Sequence, residues 1–92
     1  MKLPDGTYLY QNGTFTPIQM EDGYWVAEHA LFPSELQSGM VVGSWTDTET
    51  GQVYFDKVRL VRNLTKATMY ATLWKQIAIW DNANKREVRI GG

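Results

Sequence analysis

The dipeptide Asn12-Gly13 separates two short aromatic runs, Tyr8-Leu-Tyr-Gln and Thr14-Phe-Thr. Asn-Gly takes up the two positive φ angles of a type I′ turn, whose twist matches that of paired strands. The spacing predicts a tight hairpin, and with it an antiparallel sheet. Asp22-Gly23 repeats the signal ahead of Tyr24-Trp-Val-Ala, which extends the prediction to a three-stranded β-meander over residues 7–29. Pro17 has no N–H to give to a ladder, so a bulge or strand break is expected there.

The remaining pattern reads as a second unit. Residues 30–39 form a connector in which Pro33 opens a short helical turn through Ser34–Gln37 and Gly39 ends it. Met40–Trp45 is a strand. Thr46–Gly51 is a loop in which Asp47 folds back on its own backbone and Gly51 supplies a left-handed position. The return strand, Gln52–Val61, has apolar residues on both faces, as a strand covered on both sides or one that switches face at a bulge would have. Asn63 or Thr65 caps a helix over Leu64–Lys75 that ends near Gln76. Ile77–Trp80 reads as a buried strand, Asp81–Lys85 as a turn, and Glu87–Ile90 as a last strand with Val88 and Ile90 facing in.

These elements make one α+β domain spanning residues 1–92. It is a mainly antiparallel sheet of five to seven strands with one packed helix, in the order β-β-β-β-β-α-β-β, with a 7–29 β-meander and a 40–92 ββαββ unit. A chain of 92 residues buries only about 60–65% of its unfolded surface, so its core must be dense in large groups. Four Trp, five Tyr and three Phe provide them, while the absence of cysteine removes disulfides and thiolate metal sites. In the helix, Ala67, Tyr70, Ala71 and Trp74 share one stripe, which predicts a largely buried Trp74. Met69 and Leu73 widen the apolar arc beyond what a surface helix needs. That edge is either covered by the meander or a docking site.

Charge is distributed unevenly. Residues 1–56 hold one base, Lys2, against eight acids, a net −7, whereas residues 57–92 hold eight bases against Asp81 and Glu87, a net +6. The asymmetry either neutralises itself internally, with Glu28 facing Lys57 or Arg59, or serves association with a charged partner. Lys57, Arg59, Arg62 and Arg89 with Tyr54 or Trp80 have the makings of a single-strand nucleic-acid stripe. The sequence pI of about 5.7 makes nucleic acid an unlikely partner. An acidic surface addressing a basic protein fits better.

No catalytic frame is present. His29 is the only histidine and lacks partners at ligand spacing, so it reads as a surface or satisfied side chain. Asp47 and Glu49 lack the ligand order of a calcium loop. The expectation is a non-enzyme without metal or cofactor. No stretch has the length of a signal peptide's apolar region or of a membrane span. The sequons at Asn12 and Asn63 then read as turn and cap chemistry. The candidate binding residues are Met69, Leu73 and Lys66 on the helix, with Trp80, Arg59 and Glu28. The expected partner is a protein, with a homo-oligomer as a further possibility.

Two resemblances bear on function. Trp45-x-Asp47-x-x-Thr50-Gly51-x-Val53-Tyr54, followed by Gln76-Ile-Ala-Ile-Trp80-Asp81, resembles small uncharacterised proteins of tailed bacteriophages, prophages and some bacteria. The match covers roughly the C-terminal half, with Lys75 where an asparagine is expected. It implies a phage or prophage accessory protein in the host cytoplasm or the virion, acting on a host or phage protein, or a small self-associating virion component. The ββαββ order and the final Gly91-Gly92 resemble β-grasp ubiquitin-like carriers, which implies a conjugated tail.

Overall fold

A computed structural model describes residues 3–90. The elements are β1 (Gly6–Gln11), β2 (Thr14–Pro17), β3 (Tyr24–Leu31), a single 3₁₀ turn (Pro33–Glu35), β4 (Met40–Thr46), β5 (Val53–Val61), α1 (Leu64–Leu73), β6 (Ala78–Asp81) and β7 (Arg86–Arg89). The strands lie in the order β2-β1-β4-β5-β3-β6-β7. The β1–β2, β1–β4, β4–β5, β3–β6 and β6–β7 ladders are all antiparallel. This is the expected α+β fold with one packed helix.

The strand order corrects two expectations. β3 does not complete a meander, because its neighbours are β5 and β6 while β2 borders only β1. Pro17 ends β2, and the Ile18 N–H makes one last bond back to Thr7 (2.9 Å) before the chain leaves. The next turn is held elsewhere: the Asn82 amide groups donate to the carbonyls of Asp22 and Gly23, each at 3.1 Å. The ββαββ order is present, but β3 lies between β5 and β6, so residues 40–92 are not the self-contained sheet that the carrier resemblance implies. Gly91-Gly92 lies outside the described residues.

The chain forms two compact units. The first comprises residues up to Ile18 with His29–Lys57, and the second Gln19–Glu28 with the residues from Val58 onward. β3 and β5 each run through both.

In the first unit, Asn12 (φ 50°) and Gly13 (φ 79°) make the expected hairpin turn. Its core is Tyr8, Leu31 and Val42, with Phe15, Met40 and Phe55 packed on it. Phe15 stacks on Phe55 at 5.5 Å between centroids, with planes 7° apart. Burying a side chain such as Val42 fully is worth roughly 1.5–3 kcal/mol. The Tyr8 hydroxyl donates to the Pro4 carbonyl (2.6 Å), which satisfies the polar tip of a buried ring. Asp47 organises the β4–β5 loop as expected, its carboxylate accepting from the Glu49 (2.8 Å) and Thr50 (3.3 Å) amides.

In the second unit, Asn63 caps α1 by accepting from the Lys66 amide (3.0 Å), worth about 1 kcal/mol. Ala67 and Ala71 are fully buried against Val26, Val61 and Ile79, and their small side chains let the helix backbone come close to the strands. Trp74, expected to be largely buried, is only partly so. It is the C-cap, stacked on Tyr70 at 5.1 Å. The helix stops short of Lys75 because that residue turns left-handed (φ 59°). The Lys75 amide donates to Thr72 (3.1 Å) and the Gln76 amide to Ala71 (2.7 Å), a Schellman closure made without glycine. The expectation of a wholly buried Ile77–Trp80 strand is corrected: Ile77 precedes β6 and is exposed, and within β6 Ile79 is buried while Trp80 is exposed. One face of β6 packs against the helix, so Ile79 and Trp80 alternate in and out.

Candidate functional site

The six residues proposed from the sequence do not form one site. Lys66, Met69 and Leu73 follow one another at helical spacing along α1, and Met69 and Leu73 are 59% and 69% exposed. The edge is therefore uncovered, and the expectation that the meander covers it is not met. Leu64, also exposed, lies on the same helix. Arg59 and Glu28 are engaged with each other, Nε to Oε2 at 3.7 Å, and the Arg59 guanidinium lies 5.6 Å from the centre of the Trp74 ring. This is the internal pairing of acid and base that the charge pattern allowed, and Arg62 with Asp22 (2.8 Å) is a second instance. Trp80 is the cross-strand neighbour of Trp25 and Glu87. Ile79 beside it points toward the helix, so Trp80 occupies the opposite face of the strands.

The first unit carries a more concentrated arrangement. Trp45 and Tyr54 are partners across the β4–β5 ladder. Their rings stack at 4.7 Å with planes 23° apart, yet they remain 45% and 39% exposed. Asp56 lies two residues along β5 from Tyr54, hence on the same face, and its Oδ2 accepts the Trp45 indole N–H at 3.2 Å. Its neighbour across the ladder is Gly43, which puts no side chain over the carboxylate. Burial pushes the Asp56 carboxyl above its ordinary range, and the indole hydrogen bond and the nearby His29 counteract this only in part. Among the described residues no Lys or Arg forms an ion pair with Asp56. An open pocket of about 270 Å³ borders Tyr54, walled by Leu31, Phe32, Pro33 and Val53.

The second unit holds a buried carboxylate of the opposite kind. The Asn84 side-chain amide bonds to Asp81 at 2.7 Å and holds its carboxyl below the ordinary range despite burial. The Ala83 and Asn84 backbone amides add to this. Asp81 is thereby committed to the β6–β7 turn. Among the described residues no three His, Asp or Glu side chains converge as a metal site would require. No helix among them is long and apolar enough to cross a membrane.

Sequence reasoning did not single out Trp45, Tyr54 and Asp56 as a site. The signal was the second apolar face of Gln52–Val61, read as covered or bulged; at Tyr54 that face is open. No protein-family model, curated protein or solved structure matches the chain.

Proposed function

We propose that this protein is a non-enzymatic protein-binding module, a phage or prophage accessory protein acting on a host or phage protein. The observation that carries the reading is the stacked, half-exposed Trp45–Tyr54 pair beside Asp56. Large aromatic groups left in water are costly for a monomer. Trp and Tyr are also the residues that most often anchor protein interfaces. The stack fixes both rings in advance, which lowers the ordering cost of association. The phage setting rests on the resemblance, whose motif contains Trp45, Tyr54 and Trp80, three of the exposed aromatics.

The test is affinity capture from host lysate, with and without phage infection, using wild-type protein and a Trp45→Ser/Tyr54→Ser variant. A specific protein retained by the wild type and lost with the variant supports the reading. Identical capture profiles refute it. The exposed Met69–Leu73 edge supports the second reading, a self-associating virion component. Sedimentation of the purified protein separates the two, since a virion component forms a defined oligomer and an adaptor of the first kind stays monomeric.

A further inference from the structure

The geometry points to a basic, arginine-bearing polypeptide segment as the occupant of the Trp45–Tyr54–Asp56 surface. This inference rests on the binding-module reading and names the chemistry of the partner. Three observations converge on a cation. The first is the pair of rings: Trp45 and Tyr54 stack on each other and still leave 45% and 39% of their surface exposed. Aromatic faces attract cations through their quadrupole, Trp most strongly.

The second is the carboxylate in the same plane of approach. Asp56 is half-buried, carries the Trp45 indole on Oδ2 and has no Lys or Arg ion-pair partner among the described residues. A carboxylate drawn partly out of water gains most from a cation brought by a ligand. Gly43 leaves the side of Asp56 toward β4 without a competing side chain. The third observation is the charge of the surroundings. The first unit has two bases, Lys2 and Lys57, against Asp5, Glu35, Asp47, Glu49 and Asp56, a net −3. Lys57 alternates to the other face of β5 from Asp56, opposite buried Val42. Asp5 is bonded to the Thr46 amide (2.9 Å) and Asp47 begins the loop after β4, so further carboxylates flank Trp45. Such a field attracts a basic segment and repels the phosphates of a nucleic acid, although stacked aromatics alone suit either. Arginine fits better than lysine, because its planar guanidinium stacks on a ring while its N–H groups reach a carboxylate.

The test is fluorescence anisotropy with the full chain and four labelled probes of equal length: an arginine-bearing peptide, its lysine and glutamine counterparts, and a single-stranded oligonucleotide. The expected order is arginine, then lysine, with glutamine and the oligonucleotide weakest. Affinity should fall as salt shortens the Debye length toward about 8 Å at 0.15 M. Asp56→Asn and Tyr54→Ser should each weaken arginine-peptide binding roughly threefold to thirtyfold, the range of a cation–π or charge contact. Glu21→Gln, which removes an exposed acid of the second unit, should leave it unchanged. Melting curves confirm that each variant is folded; Asp56→Asn keeps shape and the indole acceptor, so it carries the test if Tyr54→Ser does not fold. Equal binding of arginine and glutamine peptides, tighter binding of the oligonucleotide, no peptide binding at millimolar protein, or indifference to Asp56→Asn each overturns the inference. If a lysate protein is nevertheless captured through Trp45 and Tyr54, the binding-module reading stands and only the basic partner is wrong. If both experiments are negative, both fall.

Discussion

Replacing Gly23 by alanine should cost more than replacing Gly13, although both sit at nearly the same φ, 80° and 79°. At Gly13 an added Cβ meets nothing within 4 Å, so only the left-handed backbone penalty applies, about 1 kcal/mol. At Gly23 the Cβ comes within 2.9 Å of Leu60 Cδ1 and 3.5 Å of the Val61 carbonyl. The leucine methyl must move, at roughly 0.5–1.5 kcal/mol for an off-rotamer side chain. The carbonyl need not. The total for Gly23→Ala is then about 1.5–2.5 kcal/mol. Urea denaturation followed by circular dichroism measures both variants. A double-mutant cycle isolates the steric part, because in a Leu60→Ala background the cost of Gly23→Ala should fall back to that of Gly13→Ala. Equal destabilisation by the two single substitutions would refute the packing argument. No destabilisation by either would refute the turn assignments themselves.

Trp74→Ala should cost about 2 kcal/mol, below the 3–5 kcal/mol of a fully buried Trp, because the ring is only partly covered; the midpoint of thermal unfolding reads this out. Lys75→Gly should stabilise by about 0.5–1 kcal/mol in the same assay, since it removes a side chain from a left-handed C-terminal position; a loss of stability there would contradict the helix closure. The two perturbed carboxyls should act oppositely on the pH dependence of stability. Asp81 has a lowered pKa, so its contribution is present above the ordinary value of 3.8 and is lost as pH falls through the folded value. Asp56 has a raised pKa, so its contribution is present below 3.8 and is lost as pH rises through the folded value. In pH-dependent urea melts, Asp81→Asn should therefore be most damaging at neutral pH and Asp56→Asn least damaging there. Met69→Lys with Leu73→Lys should change folding stability by no more than about 0.5 kcal/mol; abolition of any concentration-dependent sedimentation by this pair would assign self-association to the α1 edge, and unchanged sedimentation would exclude it.

Local chemistry was legible and partner choice was not. Asn12-Gly13, Asp47, Gly51 and Asn63 each dictate the conformation of a few residues through their own backbone bonds, and each is found as expected. The placement of β3 depends instead on Asn82, about 60 residues away, gripping the Asp22–Gly23 turn. Nothing in residues 7–29 announces that contact. The helix stripe was legible at Ala67 and Ala71, but their smallness was the decisive property. It brings the backbone in and leaves the larger Trp74 at the margin. The candidate site was hidden for a related reason: alternation along β5 places Tyr54 and Asp56 on one face, but only the fold determines that this face stays open.

The charge pattern shows why chain order misleads about surfaces. Split at residue 56, the sequence reads −7 and +6. Divided as the chain folds, the first unit carries −3 and the second +2, the latter with seven bases against five acids. The difference arises because Gln19–Glu28 takes Glu21, Asp22 and Glu28 into the basic unit, where Asp22 meets Arg62 and Glu28 meets Arg59, while Lys57 falls in the first unit. Much of the apparent polarity is thus neutralised locally. Each unit keeps a smaller residual charge, and the acidic one, the first, is where Trp45 and Tyr54 are exposed beside Asp56. Exposed pairs such as Arg62–Asp22 contribute little to stability, so salt should affect folding weakly. A salt-dependent association lost on Asp56→Asn would place the functional charge on the first unit. One lost instead on Arg59→Gln would place it on the second, and the assignment of the aromatic pair as the binding surface would fail.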